Sequence, residues 1–246
     1  MLVRTEYDDA IATITLDSPA NRNALSKQLV TELIDALHAT AQSAAKVVVI
    51  ASSQRVFCSG ADLSEAAEGG MAEGAAALVE IQRLILAHPL PIVVRLDGPV
   101  RAGGLGIVAA ADIVIAHEAT TFAFTEVRLA LAPAVISLTV LPRLNNRAAY
   151  DTFLTGRTFP AEEAAQMGLI TRATDDVDSA VADVCADLVK GHPQGLAETK
   201  ALLAATMLAY LDANADEMAA LSARLFGSDS AREAMLAFLS GVKSHK

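Results

Sequence analysis

Residues 91–116 read PIVVRLDGPVRAGGLGIVAAADIVIA, and their pattern predicts the fold class. The apolar run at 92–96 has no polar alternation, which is typical of a strand buried on both faces of a parallel sheet. A glycine-rich turn at 98–104 follows, then room for one short helix at 104–111 and a short strand at 113–116. Strand, turn, helix and strand in this order predict a βαβ unit within an α/β protein.

The sequence before this unit continues the same pattern. Residues 3–7 and 11–16 predict two strands, and the run KVVVIA at 46–51 predicts a second strand buried on both faces. Ser26 is suited to cap a helix that begins just after it. Residues 72–87 predict a further helix, so strands and helices alternate through the first half of the chain.

After Pro133 the pattern turns helical and stays so to the end. One helix is predicted to begin at Pro160, with acids in its first turn, and to end at Gly168. The others are predicted over 180–190, 194–211, 216–226 and 230–240. The chain therefore divides into a core, residues 1–190, and a helical C-terminal segment, residues 191–246, that packs on the core.

Composition narrows the classes of function. The chain has 246 residues, of which 53% are hydrophobic and 20% charged, so one large buried core is possible. The formal net charge of −10 argues against a nucleic-acid partner, because such surfaces are normally basic. A local basic patch or a helix N-terminus could still bind a small anion.

The apolar runs and the cysteines indicate where in the cell the protein is located. The longest apolar stretch, residues 105–116, is interrupted by Asp112 and too short to span a bilayer, and acids stand where a signal peptide would be apolar. Cys58 and Cys185 have no metal-ligand spacing and are expected to be reduced thiols. We expect a cytoplasmic protein without a membrane or metal partner.

Two motifs fit common sites poorly. Residues 104–109, GLGIVA, match a dinucleotide fingerprint, but the preceding strand ends near Leu96, too early for the turn that this fingerprint needs. Cys58 and Ser59 stand beside Gly60, yet there is no nucleophile elbow and none of the five histidines is an obvious base. These departures argue against NAD binding and against hydrolysis by a serine or cysteine nucleophile.

A pair of glycine-rich loops fits better. Residues 57–62 and 98–106 each leave a buried strand, so in a parallel sheet both lie at the carboxyl edge, where ligands bind. Glycines let backbone N–H groups approach a ligand, and two N–H groups that converge on one oxygen form an oxyanion hole. Two tight turns without a ligand would leave the same pattern.

Several stretches together resemble one known family. FCSGADL at 57–63 and the run at 91–116 resemble the signature stretches of the crotonase, or enoyl-CoA hydratase/isomerase, family. Further similar stretches are SPANRNALS at 18–26, FAFTEVRLALAP at 122–133, LTGRTFPAEEAAQMGLI at 154–170 and SDSAREAMLAFLSGVK at 228–243. The resemblance covers nearly the whole chain. It implies the ClpP/crotonase fold, a spiral α/β core of ββα units with a C-terminal helical trimerisation region.

The resemblance also implies a site for an acyl-CoA thioester, with no separate cofactor. The backbone N–H groups of Ala61 and Gly103 correspond to the oxyanion donors, and Glu126 to a catalytic acid–base. Contacts to CoA are implied for Asn21, Arg22, Asn23, Ala24, Ser59, Asp62, Leu63, Phe238 and Lys243. Members are usually trimers or paired trimers in which a neighbour's tail closes the CoA site. The lysine usual three residues after Phe238 is absent, and Lys243 is the candidate replacement.

One departure leaves the reaction open. Hydratases of the family use two glutamates, and the position of the second is Gly106 here. One carboxylate suits double-bond isomerisation better than hydration, while Glu65 and Glu68 are candidates for a substitute acid. If position 106 faces the pocket, a glutamate there is expected to raise hydration. Hydratase, isomerase, another crotonase reaction such as hydrolysis, decarboxylation or C–C cleavage, and a non-catalytic acyl-CoA binder all remain.

Overall fold

The computed structural model describes residues 1–66 and 71–243 and confirms the mixed α/β class. The strands are β1 (Val3–Asp8), β2 (Ile11–Leu16), β3 (Val47–Ser52), β4 (Ile92–Leu96), β5 (Val100–Arg101), β6 (Ile113–His117), β7 (Thr121–Ala123), β8 (Phe159–Pro160) and β9 (Arg172–Thr174). The helices are α1 (Lys27–Ala41), α2 (Leu63–Ala66), α3 (Met71–Ala87), α4 (Gly104–Ala110), α5 (Ala134–Val140), α6 (Asn146–Thr155), α7 (Ala161–Gln166), α8 (Val177–Val189), α9 (Pro193–Phe226) and α10 (Asp229–Lys243). Short 3₁₀ turns cover Pro19–Asn21 and Glu126–Leu129.

Six strands form the main sheet, in the order β1-β2-β3-β4-β6-β9. β1 pairs with β2 antiparallel, and every other neighbouring pair is parallel. The strands β2, β3, β4 and β6 therefore end at the same edge. The loops that leave those strands meet there, which is where an open parallel sheet binds ligands.

The central strands are apolar throughout because helices cover both faces of the sheet. Val48 and Ile50 of β3 belong to the large core, while Val47 and Val49 belong to a second cluster beneath α8. Successive side chains of a strand point to opposite faces, so a strand covered on both sides has no solvent-facing position. The continuous run at 46–51 has this physical cause.

A small second sheet lies next to the main one, in the order β5-β7-β8. β5 pairs parallel with β7, and β7 pairs antiparallel with β8. These strands are two or three residues long, which is too short for alternation to reveal them in the sequence. The stretch predicted as a glycine-rich turn at 98–104 thus contains a strand.

The prediction of continuous helix after Pro133 is wrong in two places. β8 and β9 interrupt the helices, and β9 adds an edge strand to the main sheet beside β6. The helices predicted at 194–211 and 216–226 are one helix, α9. Asn214 lies between the two predicted ranges. Its side-chain amide donates a hydrogen bond to the Tyr210 carbonyl one turn earlier, and the helix continues through it.

Helix α9 is fixed to the core by a buried charge. Lys200 is 5% exposed, and its Nζ lies 2.7 Å from Asp112 Oδ2 and 3.1 Å from the Leu90 carbonyl oxygen. A buried ammonium group requires such partners, because an unpaired charge in the interior is strongly unfavourable. The contact ties α9 to the start of β4 and to the α4–β6 connection. Across the described ranges, no helix is both long and apolar enough to cross a membrane.

Candidate active site

The candidate site lies at the carboxyl edge of the main sheet. Four loops come together there: residues 17–26 after β2, 53–62 after β3, 97–103 after β4, and the segment through Glu126 after β6 and β7. They contain the predicted donors, the predicted acid and the predicted CoA loop.

Strand β5 holds the two glycine loops and the glutamate segment together. The Phe57 N–H donates to the Pro99 carbonyl at 3.0 Å, and the Arg101 N–H donates to the Cys58 carbonyl at 2.9 Å. On its other side, β5 pairs with β7, which leads directly into Glu126. A two-residue strand therefore fixes the relative positions of all three catalytic candidates.

Ala61 and Gly103 each have a backbone N–H group without an acceptor in the described part of the protein. Among residues 1–66 and 71–243, neither N–H donates a hydrogen bond, although the neighbouring N–H of Ala102 donates to the Ala123 carbonyl and that of Leu25 to the Gly60 carbonyl. Buried backbone donors are nearly always paired, so the N–H of the buried Gly103 is unusual, and the N–H of the partly exposed Ala61 lies in the adjoining loop. Such donors are suited to bind an external oxygen atom.

The backbone beside both donors is left-handed. Gly60 has a φ of +98°, and Ala102, which precedes Gly103, has a φ of 45°. A side chain at position 60 would place its Cβ 2.9 Å from the Ala102 Cβ, so the two loops touch next to the donors. Left-handed backbone at a residue other than glycine is unfavourable and is concentrated at functional sites.

Glu126 is the buried carboxyl group of the site. It is 9% exposed, and its Oε2 has no hydrogen-bond partner among the described residues. Burial raises the pKa of Glu126 to about 7, while a hydrogen bond from its own backbone N–H acts in the opposite direction. A carboxyl with a pKa near neutral pH can both accept and return a proton.

The raised pKa makes the stability of the protein depend on pH. The usual value of 4.5 applies in the unfolded chain and about 7 in the folded one, so folding becomes less favourable as the pH rises between them. Each pKa unit corresponds to about 1.4 kcal/mol, so the free energy of unfolding falls by about 3–4 kcal/mol across this range. We expect Glu126→Gln to remove this loss, since a glutamine does not ionise.

Urea unfolding of both proteins between pH 5 and pH 8 measures the effect. The stability of the variant relative to the parent should increase through this window and level off above pH 8. Curves that stay parallel over the range would contradict a raised pKa at Glu126. The comparison uses only differences between the two proteins, so other titrating groups cancel.

Helix α10 covers the glutamate segment within the same chain. Ala231 and Met235 of α10 are buried against Leu131, and Leu63 and Leu129 pack around them. The cluster thus joins the residue that follows the first donor loop to the residues that follow Glu126. Of the predicted tail contacts, Phe238 is 50% exposed on α10, and the Lys243 side chain lies outside the described part of the structure.

The predicted CoA loop lies against the first donor loop. The Asn21 amide donates to Asp62 Oδ2 at 2.9 Å, and the Ser59 hydroxyl donates to the Asn21 carbonyl at 3.1 Å. Arg22 is exposed, and its backbone is left-handed with a φ of 58°. These residues form one surface beside Ala61, as a ligand-binding loop requires.

Asn23 and Ala24 have a different place. Asn23 is fully buried, and its amide donates to Ser52 Oγ and to the Val56 and Phe57 carbonyls. Ala24 is also buried. The Asn23 side chain therefore joins the β2 loop to the β3 loop, and the CoA contact at Asn23 and Ala24 stays a prediction for their backbone.

Position 106 has little free space for a side chain. Gly106 is buried in α4, and a Cβ there would lie 3.0 Å from Ile136 Cγ2 and 3.1 Å from Gln82 Oε1. A glutamate cannot enter without moving these side chains. Gly106→Glu alone is therefore not expected to raise hydration.

Cys58 and Glu65, two other candidate groups, make contacts that belong to the fold. Cys58 is fully buried against Gly104, and burial raises the pKa of its thiol to about 12, so it is not a nucleophile at neutral pH. Glu65 is exposed and accepts the Lys27 N–H at 2.8 Å, which places it at the start of α1. Glu68 lies outside the described residues. Within the described ranges, no group of three His, Cys, Asp or Glu residues could hold a metal ion.

The sequence pattern of the enoyl-CoA hydratase/isomerase family matches residues 6–245. The chain belongs to this family. A Rhodobacter capsulatus protein named "Probable enoyl-CoA hydratase" is 34% identical over 249 residues, covering 99% of this chain and 96% of that protein. The crystal structure of an enoyl-CoA hydratase from Mycobacterium avium superposes with a TM-score of 0.92 at 44% identity, covering 98% of this chain and 96% of the other. The family prediction is confirmed.

Relatives in the family carry names for different reactions. A 4-chlorobenzoyl coenzyme A dehalogenase-2 from an Arthrobacter species is 29% identical over 211 residues, covering 80% of this chain and 76% of that protein. Membership of the enoyl-CoA hydratase/isomerase family therefore supports a CoA thioester as ligand, and the reaction has to be argued from the residues of the site.

Proposed function

We propose that this protein is an enoyl-CoA isomerase that uses Glu126 as its acid–base group. The observation that carries the proposal is the buried Glu126 carboxyl, which has a pKa of about 7. Its Oε2 and the N–H groups of Ala61 and Gly103 have no hydrogen-bond partner among the described residues. The substrate is an unsaturated fatty acyl-CoA, and the pathway is fatty acid metabolism.

The reaction moves one proton and shifts one double bond. With a 3-enoyl thioester bound, the Glu126 carboxylate removes a proton from C2, and the electron pair of that C–H bond forms a dienolate. The negative charge collects on the thioester oxygen, to which the N–H groups of Ala61 and Gly103 donate hydrogen bonds. The Glu126 carboxylic acid then returns its proton to C4, and the double bond is left between C2 and C3. No atom is gained or lost.

Hydration makes greater demands on the site. Water must be held and deprotonated as its oxygen adds to C3, while a proton is delivered to C2. Two carboxyl groups divide this work naturally, and in this chain position 106 is a buried glycine. The Glu65 carboxylate is engaged at the start of α1. A single carboxyl that removes and returns one proton is sufficient for isomerisation.

The predicted assembly and location extend the proposal. We propose a homotrimer or homohexamer in the cytoplasm, with Phe238 and Lys243 contributing to CoA binding. Large apolar side chains on α9 support assembly, since Leu202 and Leu203 are 79% and 81% exposed. The two free cysteines support a reducing compartment. Light scattering after gel filtration measures the oligomeric state directly.

Turnover of a small thioester panel tests the reaction. The purified protein is assayed with 3-enoyl-CoA for isomerisation, 2-enoyl-CoA for hydration and a saturated acyl-CoA for hydrolysis. We expect kcat/KM for isomerisation to exceed that for hydration by at least about tenfold, because only one carboxyl serves the site. Hydration as the fastest reaction would refute the isomerase assignment, and thioester binding without turnover would indicate a binding protein.

A further inference from the structure

Gln82 is a wholly buried polar side chain on α3 that the proposed mechanism does not use. The Thr139 hydroxyl of α5 donates to its Oε1 at 2.6 Å. Its Nε2 donates to the Leu78 carbonyl at 3.1 Å and to the Val135 carbonyl at 3.4 Å. The amide is therefore held in one orientation from two helices, as a buried polar group must be to avoid a large desolvation cost.

The held amide lies against Gly106 of α4. A Cβ at position 106 would be 3.1 Å from both Cδ and Oε1 of Gln82, and 3.0 Å from Ile136 Cγ2. The Thr139 hydroxyl also lies 3.3 Å from the Gly106 carbonyl. Three helices thus meet at this point, and the space that a side chain at 106 would need is filled.

The contact between Gln82 and Gly106 lies on the same face of α4 as the oxyanion donor Gly103. Gly103 and Gly106 are three residues apart and share a face of the α4 turn, while Leu78 and Gln82 are four apart and share a face of α3. A Cβ at Gly103 would lie 3.2 Å from Leu78 Cδ2, so the two faces run side by side. With a rise of about 1.5 Å per residue, Gln82 meets α4 about 4.5 Å beyond the donor.

We propose that the Gln82 side chain, hydrogen-bonded to Thr139, fills the space beside Gly106 that a second acid–base side chain would occupy, and so limits the site to reactions that one carboxyl can perform. An amide does not titrate between pH 5 and 9, so Gln82 cannot take over proton transfer. Gln82 is thus a specificity-determining residue. The consequence for the reaction rests on the proposed function, whereas the packing does not.

Stability measurements test the packing without any assay of turnover. Gly106→Ala should lower the melting temperature, because the added Cβ meets Gln82 and Ile136. Gly74→Ala is the matched control: Gly74 lies in α3, and an added Cβ would meet nothing within 4 Å. That control should raise the melting temperature, since alanine favours helix more than glycine.

The decisive variant places Gly106→Ala in a Gln82→Ala background. There the substitution at 106 should destabilise less, because the contacts with Gln82 Cδ and Oε1 are gone while the contact with Ile136 remains. An equal loss in both backgrounds, or no loss in the parent, would overturn the proposal. Neither outcome depends on whether the protein is an isomerase.

The reaction consequence is tested with Gly106→Glu in the same background. The ratio of hydration to isomerisation should rise at least about tenfold over that of Gln82→Ala alone, because a second carboxyl then has room. An unchanged ratio in a folded double variant would refute the link between Gln82 and reaction choice. If Gln82→Ala alone makes hydration the fastest reaction, the proposed single-carboxyl function is wrong. The melting temperatures then still test the packing of Gln82 against Gly106.

Discussion

Glu126→Gln should abolish isomerisation, lowering kcat by about 10²–10⁴-fold. The two side chains are nearly the same shape, so the substitution removes proton transfer and little else. The affinity for an acyl-CoA that cannot react should therefore change less than about threefold, because ground-state binding does not require the carboxylate. Steady-state kinetics with 3-enoyl-CoA and calorimetry with a saturated acyl-CoA measure the two quantities.

Glu65→Gln is the matched control for this change. Glu65 is exposed, and its carboxylate accepts the Lys27 N–H, a role that a glutamine carbonyl oxygen can fill. Its kcat should stay within about twofold of the parent value, since surface changes of this kind have small effects. A large loss with Glu65→Gln, together with retained activity in Glu126→Gln, would move the acid–base role to the α2 loop.

The pH dependence of kcat/KM tests the role of Glu126 independently of the substitution. Proton removal from C2 needs the Glu126 carboxylate, so kcat/KM for isomerisation should rise with pH and level off above the pKa of about 7. Because the measured quantity is kcat/KM, the rise reports the pKa of Glu126 in the free enzyme. A flat profile from pH 5 to pH 9 would show that no group with a raised pKa limits the reaction.

The long elements of the fold are predictable because each carries a strong periodic pattern. The strand at Ile92–Leu96 is predicted with its true bounds, and Ser26 caps α1 by accepting the Leu29 N–H. Both follow from local chemistry: an apolar run buried on two faces, and a hydroxyl that satisfies a free helix N–H. Stretches of this kind need little tertiary information.

The features that position the site are short and depend on tertiary contacts. β5 has two residues, and what fixes it is pairing with Thr121–Ala123 and the bridge between Val100 and Cys58. The raised pKa of Glu126 likewise comes from burial. No window of sequence contains these contacts, so the glycine loops predict the site while its geometry has to be seen.

The role of Gln82 also depends on tertiary contacts and could not be predicted from the sequence. In the sequence it stands in the middle of an amphipathic helix, where a glutamine usually faces solvent. Its burial results from the approach of α4 and α5, which glycine at 106 permits. The glycine was a visible departure from the family pattern, but its partner could be identified only from the packed helices.

Gly103→Pro should lower kcat/KM by about 10²–10³-fold relative to Gly103→Ala. Proline removes the N–H, and the Gly103 N–H makes no bond to the described protein that would be lost. The φ of −51° at Gly103 is within the range of a proline ring. Alanine adds the same Cβ, which meets Leu25 Cδ1 at 2.8 Å and Leu78 Cδ2 at 3.2 Å, but keeps the donor.

The difference between these two variants isolates the donor from the crowding. The left-handed backbone of Ala102 is disfavoured before proline, and that cost should appear in the melting temperature of Gly103→Pro. Turnover measured well below that melting temperature reports on the folded protein alone. Because charge develops on the thioester oxygen only as the dienolate forms, the loss should fall on kcat far more than on KM. Equal kcat/KM for the proline and alanine variants would exclude the Gly103 N–H as a donor and leave Ala61 as the only backbone candidate.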